Sequence, residues 1–251
     1  MITLQGPDWR TIHTLREALA TAPEEGEFRM GGRKVLATAQ LAAFAGAGLQ
    51  VPEWTTDREQ AITWSMNGAT VLGRRENHTQ GRDIIIRTRP MNVRQITRWN
   101  HREWWCKFVP STEEWRIHVF DGRVIARGKK HYGLRAPMAQ RINPIPEIAI
   151  RSRRNGWLMV HDLEPHPTLR DAARTAVASL EGYLCGAVDM LVTCTGVPEP
   201  SDIVILEVNR VPAMDNYTLS QYVTAIRRYV GGHRIPREDR LPTSYEGVVV
   251  V

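Results

Sequence analysis

Cysteine is scarce: three residues in 251, at positions 106, 185 and 194, an odd number without a CxxC pair. That excludes a disulfide framework and a zinc ribbon, and it suits reduced thiols. Long apolar runs are absent too; nothing approaches the roughly 18 consecutive residues that a membrane-spanning helix needs. The opening MITLQGPDWR lacks the basic-then-apolar layout of a signal peptide, so we expect a cytoplasmic protein with no membrane partner. There is no internal repeat and no low-complexity tract. Lysine is the most telling shortage. Of 33 basic residues only Lys34, Lys107, Lys129 and Lys130 are lysine, and the rest are arginine. The two cations are not interchangeable, so a chain that drifts to arginine and keeps lysine in four places has a reason to want a compact ammonium there. Drift that missed four sites is the plain alternative.

What is present reads as an ordinary globular chain, 42% hydrophobic and 24% charged, with material for one large domain or two small ones. The net charge of +6 and pI near 9.5 are compatible with nucleic acid, with phosphate-rich ligands or with an acidic substrate. TIHTLREALATA has a weak helical pattern. KVLATAQLAAFAGAG, 34 to 48, has apolar residues at helical spacing and ends in glycine. In TTDREQAITWSM, Thr56 or Asp57 is the N-cap and Trp64 faces inward. ATVLGRR, RDIIIRT, EWWCKFV, EWRIHVF and GRVIARGKK read as strands, the last two joined at DG, a hairpin signal. LRDAARTAVASLEGYL reads as an amphipathic helix between strands, followed by the apolar strands GAVDMLV and SDIVILEV and a final helix, NYTLSQYVTAIRRYV. The fold class is α+β.

Two acids stand out. Strands alternate faces, so Glu207 and Asn209 in ILEVNRV share one face while Val208 takes the other. Paired oxygen ligands at a strand end suit Mg²⁺; a polar strand end meeting solvent is the bland reading. Asp189 is the one acid in GAVDMLV, where a carboxylate needs a partner or a metal. If the two strands pair antiparallel, Asp189, Glu207 and Asn209 converge.

GAVDMLV followed by VILEVNRVPAM resembles the metal-binding end of the ATP-grasp superfamily of carboxylate–amine ligases. It is similar to D-alanine–D-alanine ligases and ribosomal-protein glutamate ligases, and above all to small ATP-grasp proteins of bacteriophages. The resemblance implies that Asp189, Glu207 and Asn209 bind two Mg²⁺ ions (Mn²⁺ being an alternative) that bridge the phosphates of ATP. RKVLATAQLAAFAGAGLQVPEW resembles the opening helix and turn of the core, which places Lys34 at ATP phosphate. TVLGRRENHTQGRDI resembles the strand and loop that cover the phosphates, with Arg74 where a lysine is usual and Gly81 as the loop's one glycine. WWCKFVPSTEEWRIHVF resembles the adenine-reading hinge, with Lys107 and Phe108 beside the base and Glu114, or its neighbour Glu113, on the ribose. Arg116 and one of Lys129 or Lys130 then meet the γ-phosphate and acyl phosphate, and Arg151 in IRSRRNGW lies near the substrate carboxylate. Three of the four lysine sites fall on expected ATP contacts.

The implied architecture is an ATP-grasp fold of two α+β lobes enclosing ATP: 34–108 with a phosphate-covering loop near 75–83, then 109–232 with the metal site. Residues 1–33 are a remnant of a reduced or missing preceding domain, and 233–251 a tail. A second protomer or a protein partner would then complete the acceptor site. The implied reaction joins a carboxylate to an amine (amino acid, peptide or protein terminus) through an acyl phosphate. A kinase acting on a hydroxyl and a nucleic-acid binder on an inactive fold are the alternatives. For the latter the cue is RTRPMNVRQITRWNHREWW, with five arginines and three tryptophans, which a connector with core tryptophans explains as well. His161 and His166 in HDLEPH lack a metal-binding frame, and His118 is expected to be a hydrogen-bonded packing residue.

Overall fold

The computed structural model describes residues 2–5, 10–30, 33–76, 84–87, 101–132, 151, 157–161 and 163–232. Three sheets organise them. The N-terminal stretch forms a small unit: β1 (Ile2–Gln5) pairs parallel with β2 (Gly26–Arg29), joined through α1 (Arg10–Leu19). Sequence reading anticipated the helix but not the flanking strands, which are only four residues each.

A four-stranded sheet comes next, in the order β3-β6-β4-β5: β3 Trp54–Thr55, β4 Val71–Arg74, β5 Ile85–Arg87, β6 Trp104–Lys107. Two helices serve it. The first, α2 (Ala37–Gly46), spans most of the stretch expected to be helical. The second, α3 (Arg58–Met66), is capped by Asp57, whose side chain accepts from the Glu59 N–H at 2.9 Å. Its inward residues Ala61 and Trp64 pack on Val71 and Trp105, while the sheet's other face carries Leu72, Trp104 and Cys106 into the main core with Leu41 and Phe44 of α2. Trp104 and Trp105 are both buried, so these two tryptophans belong to packing.

The larger sheet has the order β11-β10-β7-β8-β9: β7 Glu113–Phe120, β8 Arg123–Tyr132, β9 Trp157–Val160, β10 Cys185–Val192 and β11 Ile203–Asn209. The β7–β8 hairpin turns at Asp121 and Gly122, both with positive φ (49° and 68°), as the Asp-Gly pair requires. Helix α4 (Pro167–Ala178) packs Leu169, Ala173, Ala176 and Val177 on one face of this sheet, against Ile117, Val188 and Ile205. It is shorter than expected. The chain leaves the helix after Ala178, and Gly182 takes φ 74° in the turn that leads into β10. Helix α5 (Asn216–Val230) covers one end of the opposite face, packing Tyr222 and Ile226 with Phe120, Cys185 and the N-terminal unit. The rest of that face carries Glu114, Arg116, Lys130, Asp189 and Glu207.

Candidate active site

The strands β10 and β11 pair antiparallel, and their register sets Asp189 directly opposite Glu207 and Ala187 opposite Asn209. A bulge follows between Asp189 and Met190, which is what brings the two acids into register while the apolar residues beyond remain paired. The convergence expected from the alternating strand is therefore present. The Asn209 Nδ2 donates to Glu207 Oε1 at 2.9 Å and to Asp189 Oδ2 at 3.3 Å, so all three side chains meet at one point.

On the other side of β10, Arg116 of β7 stands opposite Asp189. It donates from Nε to Oδ1 at 2.6 Å and from Nη2 to Oδ2 at 2.7 Å, a two-pronged fork. The Asp189 carboxylate holds the Arg116 guanidinium firmly charged by raising its pKa. Two residues back, Glu114 shares the Arg116 face and is paired with Lys130 of β8. Burial pushes the Glu114 carboxyl up, against the pull of the Lys130 ammonium. Arg151 lies close enough to feel Glu114 and Glu113; it donates to the Ser111 carbonyl at 2.6 Å and stacks on Trp157 at 5.1 Å. Going the other way along β7, His118 hydrogen-bonds Tyr222 at 3.3 Å, and burial drops its pKa to about 3. It is a neutral packing residue, as expected.

Strand alternation divides the expected residues. Lys129 pairs across from Trp115 and projects on the α4 face, where it bonds Glu113, which also accepts from the Trp115 indole at 2.7 Å. Burial opposes ionisation of Glu113, but the Lys129 and Trp115 bonds outweigh it and lower its pKa. Lys130 and Glu114 are thus on the face of Asp189, and Lys129 and Glu113 are on the back. Lys107 likewise turns from the Arg74 face of its sheet: it pairs with Glu53 at 2.6 Å and lies over Trp64 at 5.0 Å. Its N–H and that of Phe108 bond Glu53 and Thr70 carbonyls within that lobe. Arg74 stacks on Trp104 at 5.2 Å, and its charge opposes the burial that raises the Cys106 thiol pKa. Lys34 is exposed, three residues before α2. Gly81, most of the phosphate-covering loop and the tail lie outside the described residues, as do 88–100 of the basic segment.

Helix α2 ties the two sheets together around this cluster. Thr38 in its first turn donates from Oγ1 to Glu76 at 2.5 Å, two residues past Arg74. Gln40 accepts from the Val208 N–H at 2.8 Å, between Glu207 and Asn209. The Asp189, Glu207 and Asn209 set has the chemistry of a hard-cation site, two carboxylates and an amide, and Asn209 would present its oxygen only by releasing the two Nδ2 bonds it makes here.

The structure resembles those of solved ligases, among them an ATP-grasp ligase. The ATP-grasp ligase PsnB complexed with minimal precursor, Mg and ADP matches at 16% identity over 88% of this chain and 65% of that one, with a TM-score of 0.54. The macrocyclase MdnC bound with precursor peptide MdnA, from Microcystis aeruginosa MRC, matches at 13% identity over 88% and 69%, TM-score 0.53. D-alanine–D-alanine ligase from Bacillus anthracis matches at 13% identity over 89% and 71%, TM-score 0.54. The chain has the ATP-grasp fold. It spans 65% of the length of PsnB, and neither a family profile nor a curated protein matches its sequence. Within the ATP-grasp fold, Arg127 and the partners of His161 are not legible in the sequence. Arg127 is fully buried and bonds the Leu163 carbonyl, Glu164 and Tyr217. His161 sits between the Arg127 carbonyl (2.5 Å) and Asp215 (2.6 Å). Arg127 is betrayed only by its place in an apolar run.

Proposed function

We propose that the protein is an ATP-dependent ligase that joins a carboxylate to an amine. The observation that carries this is the facing of Asp189 and Glu207, with Asn209 beside them, on the open face of an ATP-grasp sheet. Asp189, Glu207 and Asn209 hold Mg²⁺, which when bound offsets charge on the phosphates of ATP. Arg116 orients the Asp189 carboxylate through its two-pronged fork. Lys34, from the segment before α2, and Arg74, from the four-stranded sheet, meet phosphates, and Lys130 is the lysine of its pair on the reacting face. Glu114 receives the ribose, and Arg151 the substrate carboxylate. The chain at Lys107 and Phe108 borders the adenine, with its two N–H groups engaged within the lobe and the Lys107 ammonium turned away. Gly81 belongs to the loop over the phosphates.

The chemistry follows from this placement. A substrate carboxylate oxygen attacks the γ-phosphorus, the bond to the β-phosphate oxygen breaks, and ADP leaves. The acyl phosphate is then attacked by an amine nitrogen; the nitrogen loses a proton and inorganic phosphate departs, leaving an amide. The residues named act as positioned charges, and holding the reactants in line supplies much of the remaining rate gain. PsnB and MdnC are described as complexed with precursor peptides. That supports a peptide or amino acid as the substrate class.

Thermal denaturation tests the nucleotide half of this reading. ATP with Mg²⁺ raises the melting temperature, and ATP with EDTA raises it much less. Equal stabilisation in the two conditions contradicts the metal assignment.

A further inference from the structure

The side-chain amide of Gln40 makes two bonds in opposite directions. Its Oε1 accepts from the Val208 N–H at 2.8 Å, and its Nε2 donates to the Val35 carbonyl at 3.3 Å. The partners fix the orientation, since an N–H must meet the oxygen and a carbonyl the nitrogen. Gln40 is 9% exposed, so neither bond is readily replaced by water. Val35 follows Lys34, and Val208 lies between Glu207 and Asn209. Val35 is further held through a backbone hydrogen bond to Tyr183. Val208 donates from the outer side of β11, the last strand of its sheet among the described residues, where no neighbouring strand takes up the N–H.

We propose that Gln40 is a positioning residue that sets the Mg²⁺ ligands of β11 and the Lys34 turn at a fixed spacing. It touches neither nucleotide nor metal; it acts through Val208 on Glu207 and Asn209, and through Val35 on Lys34. The first turn of α2 adds the third corner, because Thr38 holds Glu76 just beyond Arg74 through both its hydroxyl and its N–H (2.5 and 3.3 Å). Outer partners that fix the orientation of ligands commonly control metal affinity, and Gln40 does so through the backbone of Val208, between the two ligands. The proposal rests on the metal and phosphate reading given above.

Two variants of the full chain separate the two ends. Gln40→Met keeps the volume and loses both bonds. Gln40→Glu keeps an acceptor for the Val208 N–H and loses the donor to Val35. The fold has a second, independent tie at this edge: the Gln50 carbonyl accepts from the Ile205 N–H at 2.8 Å, and both variants retain it. Binding is read by titrating Mg²⁺ at fixed ATP, then ATP at saturating Mg²⁺, by calorimetry. For Gln40→Met the Mg²⁺ midpoint rises about tenfold. For Gln40→Glu the Mg²⁺ midpoint stays near wild type while ATP affinity falls about threefold, the scale of one neutral hydrogen bond. A Gln40→Met protein that melts earlier in EDTA yet keeps the wild-type Mg²⁺ midpoint makes Gln40 purely structural and overturns the proposal. Should Gln40→Met fail to fold, Gln40→Glu decides, and wild-type values in both titrations overturn it. If wild type itself shows no Mg²⁺-dependent ATP binding, the metal reading has failed and the proposal falls with it.

Discussion

Arg116 and Asp189 bind each other side by side, with two parallel bonds of 2.6 and 2.7 Å, on strands that are themselves paired at these two residues. The fork neutralises a carboxylate whose side chain is only 8% exposed and leaves the neighbouring Glu207 to face it across β11. Removing the arginine leaves a buried charge without its main partner. We expect Arg116→Met to cost about 3 kcal/mol in denaturant unfolding measured with EDTA present. A cation at Asp189 replaces part of what was lost, so ATP with Mg²⁺ stabilises the variant more than wild type. A variant that gains less than wild type argues against a metal at Asp189.

The lysine pair gives a cleaner comparison. Lys130 shares the Asp189 face with Glu114, and Lys129 lies on the back with Glu113. Lys130→Met is expected to lower ATP turnover at least tenfold, roughly the 1.4 kcal/mol that a tenfold factor represents. Lys129→Met is expected to leave turnover within about twofold and to cost under about 1 kcal/mol of stability, as a partly exposed pair does. The reverse pattern contradicts the assignment of faces.

His161 gives a pH dependence. One ring nitrogen meets a carbonyl and the other a carboxylate, so both must carry protons and the ring is an imidazolium. Burial opposes this charge, but the Asp215 and Arg127 bonds raise the His161 pKa above 6.5. For Asp215, burial is likewise outweighed, by His161 and the Thr218 N–H, and the pKa falls below 3.8. A raised histidine stabilises fully below its unfolded value and loses that stabilisation as pH rises through its folded value. A depressed aspartate stabilises above its unfolded value. The pair therefore contributes most from about pH 4 to 6.5. Asp215→Asn keeps a cap for α5 and removes the charge. Its deficit, about 2 kcal/mol at pH 5.5, should shrink towards pH 9 in thermal melts; a deficit that grows with pH refutes the charged pair.

Gly128 stands opposite Arg116, beneath the next strand. A Cβ there would lie 2.4 Å from Met159 Cγ and 3.1 Å from His161 Cε1. Gly128→Ala is expected to destabilise by about 1–3 kcal/mol through overpacking, and Gly128→Ala with Met159→Ala to recover part of it. Equal stability of wild type and the single variant would show that β9 yields freely.

Much of the larger sheet is legible from alternation and turn chemistry: the Asp-Gly hairpin and the two acid-bearing strands follow from local pattern, whereas the antiparallel pairing of those two strands is only a condition until the sheet is assembled. The lysines were legible in kind but not in direction. Alternation says that residues 129 and 130 face opposite ways; which way depends on the register of β8 against β7, a long-range property. The same applies to Lys107, whose face is set by the helix that Trp64 anchors. The bulge after Asp189 leaves no mark in sequence, because many residues accommodate one. His161 and Asp215 are separated by 54 residues, and Gln40 and Val208 by 168, so only the assembled sheets reveal these pairs. The sequence suggests a longer α4 because Leu180 and Leu184 continue its apolar spacing, whereas Ser179 caps the helix and Gly182 turns the backbone.

The ligase claim itself rests on one intermediate. An acyl phosphate is an electrophile that hydroxylamine intercepts as a hydroxamate; a phosphate ester, the product of a kinase, is inert to it. The measurement is ADP release and hydroxamate formation with ATP, Mg²⁺, hydroxylamine and pools of amino acids and peptides as carboxylate donors, with products identified by mass spectrometry. The account predicts hydroxamate and ADP in equal amounts from a responsive carboxylate, an amide when an amine replaces hydroxylamine, and neither product from Glu207→Gln. A stable phosphate ester on a hydroxyl substrate, with no hydroxamate from any carboxylate, would contradict it.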